Sequence, residues 1–544
     1  MTQDKVTRRD FLRLSTLAAG GATLALAAGR AGAGMMGGGG GGGTGGGGMG
    51  GGSGTTVIDP PPGLPFAEPP EALALRTTGV DGAADEVYVG LEAGAEYAAV
   101  AGGTARMLAY RSFEPAAPGI LPITGEWSYP GPTIRVKKGD LLKVRLKNSL
   151  SLLGTNMLGH DRDVTNLHTH GLHVSPSGIA DNVMRMAMSG DTLEFEYDLS
   201  LQEAGTLNFY HPHIHGTVAE QYWGGLVGAL VVEDDPASTV LSSIPESLLV
   251  LKDVTLSGGA PEPYTSMMDY MQGKEGTLVM VNGRVNPVLS VSPGEVRRLR
   301  VLNASNSRFY KLALEGHTLQ LIGTEGGLLD RPYPLSAVVM APGERVDLLV
   351  KASTTAGAYR LRSLAYGSGG MTTLQEVTLL TVECRGAKVR QSLPGKINPA
   401  AVRVSGVTPA ATRRLVLSMG QGRGYINGVS FTDMASAMDS ASAIHSTTGT
   451  WEVWEIVNQS GMDHPFHQHV NPCQVLSVVG GDPASAALYA QLPAWKDVVN
   501  IPRMGSARIL VPVMDYDGMA MFHCHIVEHE DIGMMGAWHI MAGM

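Results

Sequence analysis

From Glu71 onward the chain runs in short apolar or alternating segments separated by Gly, Pro, Asn and Asp, the pattern of strands joined by turns. The stretch Thr133-Ile-Arg-Val-Lys-Lys-Gly-Asp-Leu-Leu-Lys-Val-Arg-Leu146 predicts two strands around a Lys-Gly-Asp turn. Similar phrasing returns at Leu289-Ser-Val-Ser-Pro-Gly-Glu-Val-Arg-Arg-Leu-Arg-Val-Leu-Asn303 and at Gly449-Thr-Trp-Glu-Val-Trp-Glu-Ile-Val-Asn458. Each gives a strand, a turn or polar break, and a strand ending in Asn. The echoes lie roughly 155 residues apart and predict three related β-sandwich domains, at 70–235, 236–400 and 401–544. Glu233-Asp-Asp-Pro236 and the polar stretch Arg390 to Pro409 read as linkers, and no long helix is expected.

A length of 544 residues agrees with about three domains of roughly 150 residues each. The net charge is -10 and no run of Lys and Arg follows the first thirty residues, so nothing attracts a polyanion and no nucleic-acid partner is expected. The amino terminus, Thr7-Arg-Arg-Asp-Phe-Leu-Arg13, leads into an apolar stretch from Leu14 to Ala28 and a small-residue site at Ala31-Gly-Ala33. This order fits a twin-arginine export signal over 1–33, which implies the twin-arginine translocation machinery as a partner and a periplasmic or extracellular destination. No other stretch reaches about 18 consecutive apolar residues, so no stable membrane span is expected. Residues 34–69 read as a Gly-rich flexible leader; Met35, Met36 and Met49 within it fit either incidental residues of a tether or soft ligands for Cu(I). With only Cys384, Cys473 and Cys524 present, disulfides do not build the fold, and pairing of the first two is not legible.

Ten of the sixteen histidines fall in four short clusters: His168-Thr-His170, His211-Pro-His213, His464-Pro-Phe-His467-Gln-His469, and His523-Cys-His525 with His529. A strand alternates its side chains, so His523 and His525 share one face while Cys524 points to the other. The pairs His168/His170, His211/His213, His467/His469 and His523/His525 together offer eight imidazoles, which suit three copper ions. The remaining set, Cys524, His464, His529 and Met534, holds the thiolate, two imidazoles and weak axial thioether of a blue-copper electron-transfer centre.

On these motifs, with Tyr210-His-Pro-His-Ile-His-Gly216 and His168-Thr-His-Gly-Leu-His-Val174, the chain resembles the three-domain multicopper oxidases of the bacterial laccase and cuprous oxidase type from about residue 70 to the end. The resemblance implies an all-β fold of three consecutive cupredoxin-like Greek-key sandwiches and four copper ions. It assigns His464, Cys524, His529 and Met534 to type 1 copper, and His168 and His467 to type 2. His170, His211, His213, His469, His523 and His525 would hold the type 3 pair. His173 and His215 are out of step with the ligand positions and read as supporting residues; His160, His317, His445 and His539 stand alone as non-ligands.

The implied reaction couples four one-electron oxidations to reduction of dioxygen to two waters. Asp181 and Glu530 lie close in sequence to the ligands and are expected to relay protons, with a turn role for Asp181 and a ligand hydrogen bond for Glu530 as alternatives. Met534 favours easily oxidised donors: phenols, aromatic amines or Cu(I). Methionines cluster at Met184/Met186/Met188, Met267/Met268/Met271, Met434/Met438 and Met514/Met519/Met521, each fitting flexible core filling or soft-metal contact. Asp517-Gly-Met-Ala-Met521 and Cys473 depart from the common family pattern, which puts the donor preference rather than copper loading in doubt. A non-catalytic envelope scaffold of the same fold would lack the ligands, and a copper nitrite reductase would lack the paired histidine motifs around Cys524.

Overall fold

The computed structural model describes residues 55–543 apart from 80–83, 115–122, 236–239, 371–373, 439 and 483–487. The expected export signal and the glycine tract to residue 54 lie outside the described residues. Strands dominate, and the helices among the described residues are short, as at Val218–Gly224, Met267–Gln272 and Val527–Asp531.

The three sequence echoes fold as the same corner. Strands Gly131–Val136 and Leu141–Asn148 flank the Lys-Gly-Asp turn but belong to different sheets, as do Val288–Val291 and Val296–Asn303, and Ile444–Thr447 and Thr450–Asn458. In every repeat the second strand runs parallel to one neighbour and antiparallel to the other: Leu141–Asn148 between Glu86–Val100 and Thr192–Asp198, Val296–Asn303 between Glu246–Val254 and Arg345–Lys351, and Thr450–Asn458 between Ala411–Gly420 and Ser506–Val513. The first strand of each corner pairs in parallel with the repeat's last strand. Three two-sheet sandwiches with crossed connections result. Inward residues alternate, as in Leu142, Val144 and Leu146 packing on Ile134, Val136 and Leu230 from the facing sheet.

The Asn that ends each echo is buried and has the same task. The side-chain oxygen of Asn148 accepts from Leu150 N–H, that of Asn303 from Ser305 N–H and that of Asn458 from Ser460 N–H, at 2.9, 3.0 and 2.8 Å. Each amide nitrogen donates to two carbonyls of separate segments: Asp163 and Ala187, Arg308 and Met340, Met462 and Ile501. One side chain thereby satisfies three buried backbone groups where the chain leaves the sheet.

Two expectations need correction. Residues 55–69 are not free leader: Thr56–Ile58 adds a parallel strand to Gln375–Cys384 of the middle sandwich, and Gly63 and Phe66 donate backbone hydrogen bonds to Asn286 and Val288. Unpaired backbone on Gln375–Cys384 gives an extended segment a ladder that composition alone does not reveal. The start of the stretch expected as the first linker is also fixed, because Asp234 accepts from Arg298 at 2.7 Å and Arg300 at 3.2 Å. Cys384 and Cys473 are buried free thiols.

Asn303→Ala strands one buried N–H and two carbonyls, at about 1–3 kcal/mol for each unsatisfied group. Denaturant unfolding of the copper-free protein is expected to show a loss of about 3 kcal/mol, with Asn148→Ala and Asn458→Ala alike. A change below about 0.5 kcal/mol would remove the corner from the list of structural determinants.

Candidate copper centres

Strands His464–Gln468 and Gly518–Cys524 pair antiparallel with Phe466 opposite Cys524 and His467 opposite His523. Alternation then sorts the side chains by face. His464 and Cys524 turn to the interior of the last sandwich, while His467, His469, His523 and His525 turn towards the first.

On the interior face the Cys524 sulfur lies 3.4 Å from His464 Nδ1 and 3.6 Å from His529 Nδ1, and the two nitrogens are 3.2 Å apart. The outer ring nitrogens are tied back, His464 Nε2 to Ser460 Oγ at 2.7 Å and His529 Nε2 to the Met271 carbonyl at 3.3 Å. Ser460 owes its place to Asn458, so the repeated Asn of the fold also sets a candidate ligand. Met534 is fully buried, accepts from Cys524 N–H through its carbonyl and donates its own N–H to the His529 carbonyl. Burial pushes the Cys524 thiol far above its ordinary range, and among the described residues no cation faces it that would offset a thiolate. A bound cation removes that penalty, and thiolate with two imidazoles and a neighbouring thioether suits copper.

The other face builds a cage with the first sandwich. Strand His168–His170 pairs with Leu207–His211, placing His168 opposite His211. His168 stacks on His469 with ring centres 4.1 Å apart, and His170 stacks on His467 at 3.7 Å. His523 Nε2 lies 3.2 Å from His213 Nε2 and 3.3 Å from His469 Nε2. All eight candidate imidazoles are buried and meet here.

In five of them one ring nitrogen is occupied by a partner outside the cage. His168 Nδ1 meets Asp181 Oδ2 at 2.8 Å, while the Nδ1 atoms of His211, His467 and His523 meet the carbonyls of Pro212, Asp497 and Cys524 at 2.8, 2.8 and 3.0 Å. His170 is turned round, with Nε2 3.2 Å from Asp497 Oδ1. What remains without a protein partner is His168 Nε2, His170 Nδ1, His211 Nε2, His467 Nε2 and both nitrogens of His525. Buried polar atoms are rarely left so. Convergent imidazole lone pairs are what copper ions fill, so the donor set fits the metal that the motifs imply.

Two carboxylates named from sequence sit against this cage. Asp181 also accepts from Thr169 N–H and Oγ at 2.8 and 3.1 Å, so it fixes the orientation of His168 and is not only a turn residue. Glu530 is fully buried, with its oxygens 3.5 Å from His213 Nδ1 and 3.2 Å from His523 Nδ1 and neither engaged in a hydrogen bond. Burial, with Asp531 beside it, holds its carboxyl well above the usual range.

Asp497, Arg345, Ser460 and Asp531 were not legible as site residues. Asp531 accepts from the N–H groups of Gly216, Val218 and Ala219, so the segment carrying His529 and Glu530 is pinned to the one following His213. Its partners stand more than three hundred positions away. His173 bridges the Val470 carbonyl and Asp515, at 2.9 and 2.8 Å, and lines a cavity of about 380 Å³ that reaches His168 and His469. His215 and His160 pack edge to face outside the cage. His317 accepts from Ser353 N–H, and His445 packs on His539.

Burial depresses the basicity of nine of these imidazoles: His170, His211, His213, His464, His467, His469 and His523 far below 6.5, His525 to about 3 and His529 to about 4. Unfolding lets each take up a proton below 6.5, so their contribution to stability is present above that pH and is lost as pH falls towards the folded values. Each released imidazole contributes about 1.4 kcal/mol per pH unit. Glu68, Glu275, Glu325, Glu528, Glu530 and Asp531, all raised by burial, work in the opposite sense but are outnumbered. The melting temperature of the copper-free protein is expected to drop from pH 6.5 to 4.5; a flat or rising profile would contradict neutral buried imidazoles.

Family models described as multicopper oxidase match three successive segments, residues 122–237, 249–383 and 408–543. The multicopper oxidase mco of Staphylococcus aureus is 31% identical over 412 residues, covering 75% of this chain and 81% of that protein. A laccase of Bacillus subtilis is 28% identical over 76% of this chain and 90% of its own length, and the cell division protein FtsP of Xenorhabdus nematophila is 29% identical over 75% and 82%. Among solved structures, a multicopper oxidase of Campylobacter jejuni titled a metallo-oxidase superposes with a TM-score of 0.71 at 24% identity, over 90% of this chain and 98% of that one, which speaks for the fold. Three matched segments in order, on three cupredoxin-type sandwiches that gather histidines and a cysteine in clusters that fit copper, place this chain in the multicopper oxidase family.

Proposed function

We propose that this multicopper oxidase is a laccase-like enzyme that takes four electrons, one at a time, from a small phenolic or aromatic amine donor and reduces dioxygen to two waters with four protons. The observation that carries the reading is that Cys524 faces His464 and His529 while its two chain neighbours belong to the eight-imidazole cage. Electrons entering at the sulfur face then reach the cage through a few bonds of one strand. His464, Cys524, His529 and Met534 are proposed as the type 1 ligands, His168 and His467 as type 2, and His170, His211, His213, His469, His523 and His525 as type 3, giving four ions. Copper, when bound, supplies one-electron storage at the first set and dioxygen binding at the second.

The chain's own residues supply order and protons. Asp181 holds the proton on His168 Nδ1 and so keeps Nε2 free to face inward. Glu530, kept protonated by burial, holds a proton between His213 and His523. The cavity that ends at His168 and His469 offers dioxygen and water a passage. The full donor set argues against a non-catalytic scaffold role for this chain. The twin arginines and small-residue site at Ala33 support export, and domain limits near 70–235, 236–400 and 401–544 agree with the three matched segments.

One observation favours a second reading, a metal-ion donor such as Cu(I). The Met271 carbonyl accepts from His529, and Met267 and Met268 share its helix, Met268 being 48% exposed, so soft thioethers stand beside the edge where electrons would enter.

Oxygen uptake by the reconstituted protein, with a methoxyphenol and with Cu(I) in parallel, separates the donors; faster uptake with the phenol is expected. A wild type that stays colourless and copper-free, or a Cys524→Ser variant as blue as wild type, would overturn the oxidase reading. Glu530→Gln is expected to slow oxygen reduction at least about tenfold and to alter its pH profile while leaving the blue band in place. An unchanged profile would leave Glu530 as a packing residue.

A further inference from the structure

The middle segment, 249–383, holds no candidate copper ligand, yet it reaches into the cage through one loop, Ala341-Pro-Gly-Glu-Arg345. Arg345 is buried and forms a two-pronged ion pair with Asp497 of the last sandwich, Nη1 to Oδ1 and Nη2 to Oδ2, both at 2.6 Å. Its Nε donates to the Leu207 carbonyl at 2.9 Å, at the start of the strand that ends in His211. The guanidinium also lies over Phe209, which stacks on His170 at 4.2 Å. One side chain of the middle sandwich is thus in contact with both of the others.

Asp497 is the point where this contact reaches the imidazoles. Its carboxylate receives His170 Nε2 at 3.2 Å and its backbone carbonyl receives His467 Nδ1 at 2.8 Å. These two histidines come from different sandwiches and stack face to face. The bond to His170 is the one that turns this ring round, holding the proton on Nε2 and presenting Nδ1 to the cage. Without a fixed carboxylate the ring has no outward acceptor to select that tautomer.

Two glycines show how tightly the loop is set. Gly171, at φ +94°, could carry no side chain, since a Cβ there would lie 2.2 Å from Arg345 Nη2. Gly343, at φ +82°, backs His525, whose ring a Cβ would meet at 2.9 Å. The preceding residue on each of the two segments repeats the linkage with charges reversed, Glu344 to Lys496 at 3.0 Å, and Glu325 adds a second acceptor at 2.8 Å. A buried fork of this kind fixes orientation where a single point charge would not.

The geometry points to Arg345 as a positioning residue for the oxygen-reducing cage: acting through Asp497, it sets the tautomer of His170 and the stacking of His170 on His467, and so gives the ligand-free middle sandwich a direct part in the site. The inference rests on the eight-imidazole assignment above. It is tested with full-length Arg345→Lys, Asp497→Asn and the double variant, each reconstituted with copper beside wild type. Read-outs are copper per chain, the blue band, the electron paramagnetic resonance of the non-blue copper, and oxygen uptake.

A blue, copper-loaded wild type establishes the parent reading on its own; a colourless one sinks that reading before the variants are compared. With wild type in order, both single variants are expected to keep the blue band, to lose copper from the cage or alter its resonance signature, and to take up oxygen at least about tenfold more slowly. Because the two side chains act as one unit, the double variant should be no worse than the poorer single one. Full copper content, an unchanged signature and uptake within twofold of wild type in either soluble single variant would overturn the proposal. Failure of both single variants to yield soluble protein would also overturn it, by making the pair a requirement of folding and not of the cage.

Discussion

The register between His464–Gln468 and Gly518–Cys524 is the constraint on which the two donor sets depend. Because side chains alternate, a slip of one residue would send the sulfur to the imidazole cage and two of its histidines to the apolar interior. The register is held from several sides. Val498–Ile501 pairs with the first strand and Met535–Met541 with the second, and Phe466, Phe522 and Trp454 pack edge to face behind them. An apolar core cannot accept the imidazole face, nor the cage the aromatic one, so burial itself rejects the slipped pairing.

The cage shows the complementary principle. Five of the eight rings, those of His168, His170, His211, His467 and His523, are held by one nitrogen so that the other turns inward. The orienting partners are carboxylates, backbone carbonyls and neighbouring rings drawn from all along the chain. Preorganisation of this sort leaves buried acceptors unsatisfied in the bare protein, and the strain is tolerated because cations complete the set. Glu530 differs from the other carboxylates at the cage in having no hydrogen-bond partner for either oxygen, which is the ground for proposing it as a proton carrier.

The candidate ligands were legible because copper chemistry is written in local triplets: His-x-His and His-Cys-His are short enough for strand alternation alone to sort their faces. The three sandwiches were legible through the Asn that ends each corner, a repeat that has a hydrogen-bonding reason. Asp497, Arg345 and Ser460 were hidden because their roles exist only between distant segments; Arg345 and Asp497 carry no local pattern that separates them from surface charges. The strand Thr56–Ile58 was missed for a related reason. Its three residues have no period of their own, and the ladder they complete belongs to Gln375–Cys384, far along the chain. The methionine clusters divided where sequence could not divide them, Met521 into a buried group with Val183, and Met184, Met186 and Met188 onto the surface.

That early strand has a consequence for how the molecule behaves among its own copies. The outer side of Gln375–Cys384 is shared by two short partners, Thr56–Ile58 over its beginning and Val288–Val291 over its end. Together they shield a row of N–H and C=O groups that would otherwise be open to any passing extended chain. A bare sheet margin is a template for self-association. The segment ahead of the first sandwich therefore acts as a cover strip, and trimming the protein back to its first sandwich would expose a sticky margin on the second.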